Sequence, residues 1–247
     1  MKRDSDSLRT AALLIMLAAH SLASAAEHEK PVAHLADRRY TARTSAGDAS
    51  IPIALSRDPA ANQSDITRAV IVFHGKGRNV AGYFRALEDA ATEAGSEGRH
   101  TLLVAPQFLR DEDVHAHHLP KDYLHWQGGS WTAGEPAMGP IPISTFDVID
   151  AILRDLSNRK VFPNLTTVVL FGHSGGGQLI NRYAIVGKQP AALLAAGINV
   201  RFVIANPSSY FYFSDDRPQP DGSFAPYHGT ACTDFNHWRY GPAGAPP

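Results

Sequence analysis

Four short apolar runs punctuate the chain: AVIVF at 69–73, TLLVA at 101–105, TVVLF at 167–171 and FVIA at 202–205. Each is continuous rather than alternating. That predicts strands buried on both faces, and so a mostly parallel sheet with helices on either side. Helical periodicity fills the intervals. In VAGYFRALEDAATEAG, the residues Tyr83, Phe84, Leu87, Ala91 and Ala94 share one stripe, with Asn79 as N-cap and Gly95 as stop. In STFDVIDAILRDLSNR, Phe146, Ile149, Ile152, Leu153 and Leu156 stack, and Ser144 with Asp147 forms a capping-box pattern. GQLINRYAIVG supplies a third helix, closed by Gly187. Strand–helix alternation of this kind predicts right-handed βαβ units in a single α/β domain. An earlier run, IPIAL at 51–55, carries Pro52 and predicts an edge strand or a strand start.

The ends of the chain carry other information. Lys2, Arg3 and Arg9 surround the start, AALLIMLAA follows at 11–19, and Ala23-Ser24-Ala25 gives the small-x-small pattern that a signal peptidase reads. A bilayer span takes about 20 apolar residues, so this run is too short for one. Residues 1–25 are therefore expected to be a signal peptide and 26–247 the mature domain, secreted or periplasmic, with no transmembrane segment. The 247 residues hold 23 Lys and Arg against 24 Asp and Glu, which gives no electrostatic reason to expect nucleic acid or an anionic membrane as partner. Cys232 is the one cysteine. In an exported protein such a thiol is free, bridged to another molecule, or missing its partner.

Residues 107–143 break the alternation. They show no sustained period but contain Tyr123, Trp126, Trp131 and four histidines. A long irregular segment with this aromatic content reads as functional rather than disordered. It leaves the carboxyl end of the TLLVA strand, the edge where open α/β sheets hold ligands. His115, His117 and His118, with Asp111, Asp113 and Asp122, are of metal-ligand type, and H-x-H spacing can chelate on an extended segment. Histidines on a long polar loop more often face solvent, so the expectation is no metal and no cofactor.

The chemistry gathers after TVVLF. Gly172-His173-Ser174-Gly175-Gly176 fits G-x-S-x-G between a buried strand and a helix, the setting in which a sharp turn exposes a nucleophilic serine. A phosphate loop of the G-x-x-x-x-G-K-[ST] type does not fit, since no lysine follows the glycines. His74-Gly75-Lys76-Gly77 ends the AVIVF strand, where either Gly75 or Lys76 could aim a second backbone N–H, beside that of Gly175, at an oxyanion.

From AVIVFHGKGRN through DYLHWQGGSWTAG, the elbow and RFVIANPSSYFYF to CTDFNHWRYG, roughly residues 65–241, the chain resembles a family of exported α/β-hydrolases of serine-esterase type. The most specific parts of the resemblance are the elbow, ANPSSY and NHWRYG. It implies an α/β-hydrolase fold, Ser174 as nucleophile, Gly175 as oxyanion donor, and the loop with Trp126 and Trp131 as part of the substrate mouth. The substrate would be a small-molecule or polymeric ester. The resemblance also implies further cysteines downstream that pair with Cys232.

The pattern departs from the family at the end. Such folds place the acid and the histidine on loops after two further strands, in the order Ser, Asp or Glu, His. No apolar run after Ala205 reads as a buried strand. Asp215, Asp216, Asp221, Asp234, His228 and His237 follow Ser174 in the right order, but their spacing identifies no base. The expectation is a domain truncated at its C-terminus that hydrolyses esters feebly or not at all. The catalytic acid and histidine stay unassigned.

Overall fold

The computed structural model describes residues 30–58 and 63–246. The expected leader and its cleavage site lie outside the described residues. In chain order the elements are β1 (Arg38–Thr44), β2 (Gly47–Leu55), β3 (Arg68–Phe73), α1 (Val80–Glu93), α2 (Ser96–Arg99), β4 (Thr101–Pro106), β5 (Leu109–Arg110), α3 (Asp111–Ala116) and β6 (His125–Trp126). A 3₁₀ turn (Ser130–Ala133), α4 (Thr145–Leu156), β7 (Thr167–His173), α5 (Gly175–Val186), α6 (Gln189–Ala195), β8 (Asn199–Ala205), β9 (Asp216–Pro218) and β10 (Phe224–Pro226) follow.

Six strands form one sheet in the order β1-β2-β4-β3-β7-β8. The β4, β3, β7 and β8 strands run parallel, and the β1–β2 hairpin joins antiparallel at one edge. This is the expected α/β class. The larger core lies on the face covered by α4 and α5, where Ile71, Phe73, Val104, Val168 and Leu170 meet Ile149, Leu153, Leu179 and Ile180. The other face is covered by α1, whose Tyr83, Phe84 and Leu87 pack on Val72 and Ala105. Local signals act as read: Asn79 Oδ1 accepts from Gly82 N–H at 3.1 Å, Ser144 and Asp147 close a capping box, and Gly95 adopts φ +60° after α1.

Two strands differ from expectation. The IPIAL run lies inside the sheet, yet β4 pairs with β2 only from Ile53 onward, so the N–H that Pro52 lacks falls outside that ladder. The FVIA run lies in β8, at the end of the sheet, and Val203 is 43% exposed rather than buried on both faces. The 107–143 segment is ordered into short pieces, and Ser50 N–H donates to Asp122 O at 2.8 Å to tie it to β2. After β8 the described residues form the small β9–β10 hairpin and turns. Among the described residues no helix is long and apolar enough to cross a membrane.

Candidate active site

Ser174 sits between β7 and α5 with φ 55° and ψ −115°, a region that non-glycine residues rarely occupy. Packing holds it there. An ideal Cβ on Gly172 would come within 2.1 Å of Gly176 O, and one on Gly176 within 2.2 Å of Phe73 O, so only glycine lets strand and helix approach this closely. Ser174 N–H donates to Ala205 O at 2.9 Å, which ties the turn to the end of β8. The result is a half-buried serine whose Oγ makes no hydrogen bond among the described residues.

The segment after β3 lies beside it. A Cβ placed on Gly75 would be 3.7 Å from Ser174 Oγ, and one placed on Gly175 would be 3.1 Å from Lys76 N. The structure thus brings Ser174, Gly175, Gly75 and Lys76 together at the carboxyl edge of the sheet. Gly75 lies against the Tyr83 hydroxyl, and its backbone opposes the rise in that phenol's pKa caused by burial. Lys76 N–H and Gly175 N–H have no acceptor among the described residues. These two therefore remain available to a ligand oxygen, at the positive end of the α5 dipole.

Two buried groups fix the loop. Phe108 N–H donates to His74 Nε2 at 2.9 Å, so the ring carries its proton on Nδ1 and donates to Gly75 O, also at 2.9 Å. Burial, aided by the nearby Arg78 charge, pushes the His74 pKa down to about 4. Arg78, with φ 55°, pairs through Nε and Nη2 with Asp113 at 2.7 and 3.1 Å and donates through Nη1 to Lys76 O at 3.1 Å. Asp113 also accepts from Val32 N–H and Arg110 N–H. It is consumed by this clamp and is not a metal ligand.

The other metal candidates also disperse. His117 Nε2 contacts Val32 O, Asp122 pairs with Arg39, and His115 lies beside Asp111 on the exposed side of α3. Among the described residues no three His, Cys, Asp or Glu side chains come together to hold an ion.

The expected aromatic mouth is not there. Trp126 and Trp131 are 0% and 1% exposed. Trp126 Nε1 donates to Glu135 O, and Trp131 packs against the His74 ring at a centroid distance of 4.8 Å. They form a buried support under the loop, both packed on Phe108, while Gln127 and Ser130 line the cleft. Among the later candidates, His228 and Cys232 are exposed, and Asp215, Asp216 and Asp221 accept from Asn236, Ser214 and Ser223. His237 and Asp234 lie 4.0 Å apart on an exposed turn. None of these groups hydrogen-bonds Ser174. The sequence did not single out Tyr83, Arg78 or Arg182, because a tyrosine in an apolar stripe and an arginine in a loop look like packing and surface residues.

Comparison with known proteins follows this geometry. No protein-family model and no curated protein sequence matches the chain. Among solved structures it is similar to esterase B from Lactobacillus rhamnosis, with 16% identity and TM-score 0.32, over 81% of this chain and 57% of that one. It is similar to a hyperthermophilic esterase from Pyrobaculum calidifontis, with 13% identity and TM-score 0.35, over 84% and 54%. It is also similar to the Wnt deacylase Notum from Drosophila, with 12% identity and TM-score 0.40, over 82% and 59%. The chain thus spans little more than half the length of these structures. A mostly parallel sheet with helices on both faces makes the fold one of the α/β class, with a serine-bearing strand-to-helix turn at the carboxyl edge of the sheet.

Proposed function

We propose that the chain is a serine hydrolase acting on carboxylic esters. The observation that carries this is the strained Ser174, its Oγ unbonded among the described residues, beside two backbone N–H groups, of Lys76 and Gly175, that lack acceptors there. Ser174 Oγ would attack the ester carbonyl carbon while the C=O pair moves onto oxygen, where those two N–H groups receive it. Collapse expels the alcohol, and water then releases the acyl group from the serine by the same route.

The Oγ proton must pass to a base, and no described side chain hydrogen-bonds Ser174. That observation favours a second reading, a hydrolase-fold protein that is inactive or weakly active. The two readings separate cleanly because triad members act as a unit. Without a base the serine adds nothing, and only a residual ~10³–10⁴-fold advantage over water is left. The test is p-nitrophenyl butyrate hydrolysis by the chain and by Ser174→Ala. A loss of about tenfold or more in the variant is expected; equal rates would favour the second reading.

We also propose export, on the strength of the charged start, the apolar run and Ala23-Ser24-Ala25. Intact-mass measurement on protein collected outside the cytoplasm is expected to place the N-terminus at Ala26 or within about two residues of it. A retained Met1 would count against export.

A further inference from the structure

A polar cavity of about 500 Å³ opens beside the loop after β3. Lys76 stands at one wall, and Gln178, one turn along α5 from Ser174, at another. Its floor is already satisfied. Gln178 Nε2 donates to Ser208 Oγ at 2.5 Å, and Ser209 Oγ donates to Gln178 Oε1 at 3.3 Å. Behind them Arg182, fully buried, donates to Ser209 Oγ at 2.9 Å and to Thr132 O at 2.7 Å. This network is rigid and faces inward, so it shapes the cavity without competing for what enters it.

The rim is different. Lys76, Gln127, Ser130, Glu135, Arg239 and Tyr240 line the cavity, and their side chains make no hydrogen bond among the described residues. They bring two cations, one carboxylate, an amide and two hydroxyls, so donors and acceptors are both on offer. An alkyl chain entering here would strip water from these groups and return no hydrogen bonds. An anion would be drawn by Lys76 and Arg239 but opposed by Glu135. A neutral polyol fits both requirements, because each of its hydroxyls donates and accepts. The Tyr240 ring lies under the Arg239 guanidinium, which is 5.8 Å from the ring centroid, so the two form one wall.

We propose that this cavity binds the carbohydrate part of an ester substrate, and that the chain acts on acylated sugars. This rests on the ester hydrolysis proposed above and names its substrate class. Lys76 lines the cavity and also carries a candidate oxyanion N–H, and Gln178 stands one turn along α5 from Ser174, so the cavity neighbours the candidate site.

The experiment holds the acyl group constant and varies the alcohol, comparing acetate release from 6-O-acetylglucose and from octyl acetate. The expected result is a kcat/KM at least about tenfold higher for the sugar ester. Gln127→Ala and Glu135→Ala are expected to bring that ratio below about threefold. Equal or faster turnover of octyl acetate would overturn the cavity assignment and leave the hydrolysis standing. A separate arm uses Ser174→Ala, which cannot turn over the ester through the serine, and measures 6-O-acetylglucose binding by saturation-transfer NMR. Signal in Ser174→Ala that is lost when Gln127→Ala is added supports the cavity even if hydrolysis fails. Absence of signal, or signal unchanged by Gln127→Ala, refutes it.

Discussion

Tyr83 lies on the first turn of α1, where the helix stripe reads as packing, yet its hydroxyl joins three pieces of the candidate site. Gly75 lies against its oxygen, its O–H lies 2.8 Å from His173 Nδ1, and His173 is the residue before Ser174. Hydroxyl and imidazole share this hydrogen bond, its direction set by the His173 tautomer. The hydroxyl thus holds the loop that carries Lys76 against the turn that carries Ser174. Tyr83→Phe keeps the ring and removes only this bridge. It is expected to cost about 1 kcal/mol of stability and to lower kcat for Ser174-dependent hydrolysis several-fold with KM little changed. Urea denaturation and steady-state kinetics check both. A variant identical to wild type in both measurements would show that the bridge positions nothing.

Residues 74–79 are held at both ends by buried polar groups, and that gives the element a pH dependence. In the folded chain His74 is neutral, with its pKa pushed down to about 4 by burial; Arg78 adds to the fall and Asp113 opposes it. The unfolded chain has an ordinary histidine near 6.5. Between those values the unfolded state binds the extra proton, so stability rises with pH through this window and is lost as pH falls toward 4. The full effect is on the order of 3 kcal/mol. Denaturation midpoints at pH 7 and pH 4.5 are expected to differ in that direction, and His74→Gln is expected to flatten the difference; an unchanged slope in the variant would remove His74 from the account. This element also shows what the sequence could and could not convey. The glycines after β3, the elbow, the Asn79 cap and the Ser144–Asp147 box are local patterns, legible because their partners lie within a few residues. The Arg78–Asp113 clamp joins residues 35 apart, and the inward turn of Trp126 and Trp131 depends on the whole β4–α4 segment packing under the loop. Nothing local marks either one, so an acidic residue read as a metal candidate proves to be a clamp, and two tryptophans read as a mouth prove to be a support.

At the scale of the molecule the two faces of the sheet are unequally covered. The α4, α5 and α6 side holds most of the core, whereas the far side has α1 over β3 and β4 and little beyond it. Continuity of apolar residues in FVIA predicted burial on both faces, but continuity cannot tell a central strand from one at the end of the sheet. In β8, Phe202 and Ile204 pack on the main core, while Val203, between them in sequence, points to the opposite face and is 43% exposed. This arrangement makes a sharp contrast between neighbours. Phe202→Ala removes packed ring atoms and is expected to cost roughly 2–4 kcal/mol. Val203→Lys can keep its ammonium in water, is expected to stay within about 0.5 kcal/mol of wild type, and should raise the solubility limit by breaking an exposed apolar strand with a charge. Chemical denaturation of the two variants, with light scattering against concentration for the second, checks the argument. If Val203→Lys destabilised as much as Phe202→Ala, both faces of β8 would have to be covered in solution, and the one-sided sheet described above would be wrong.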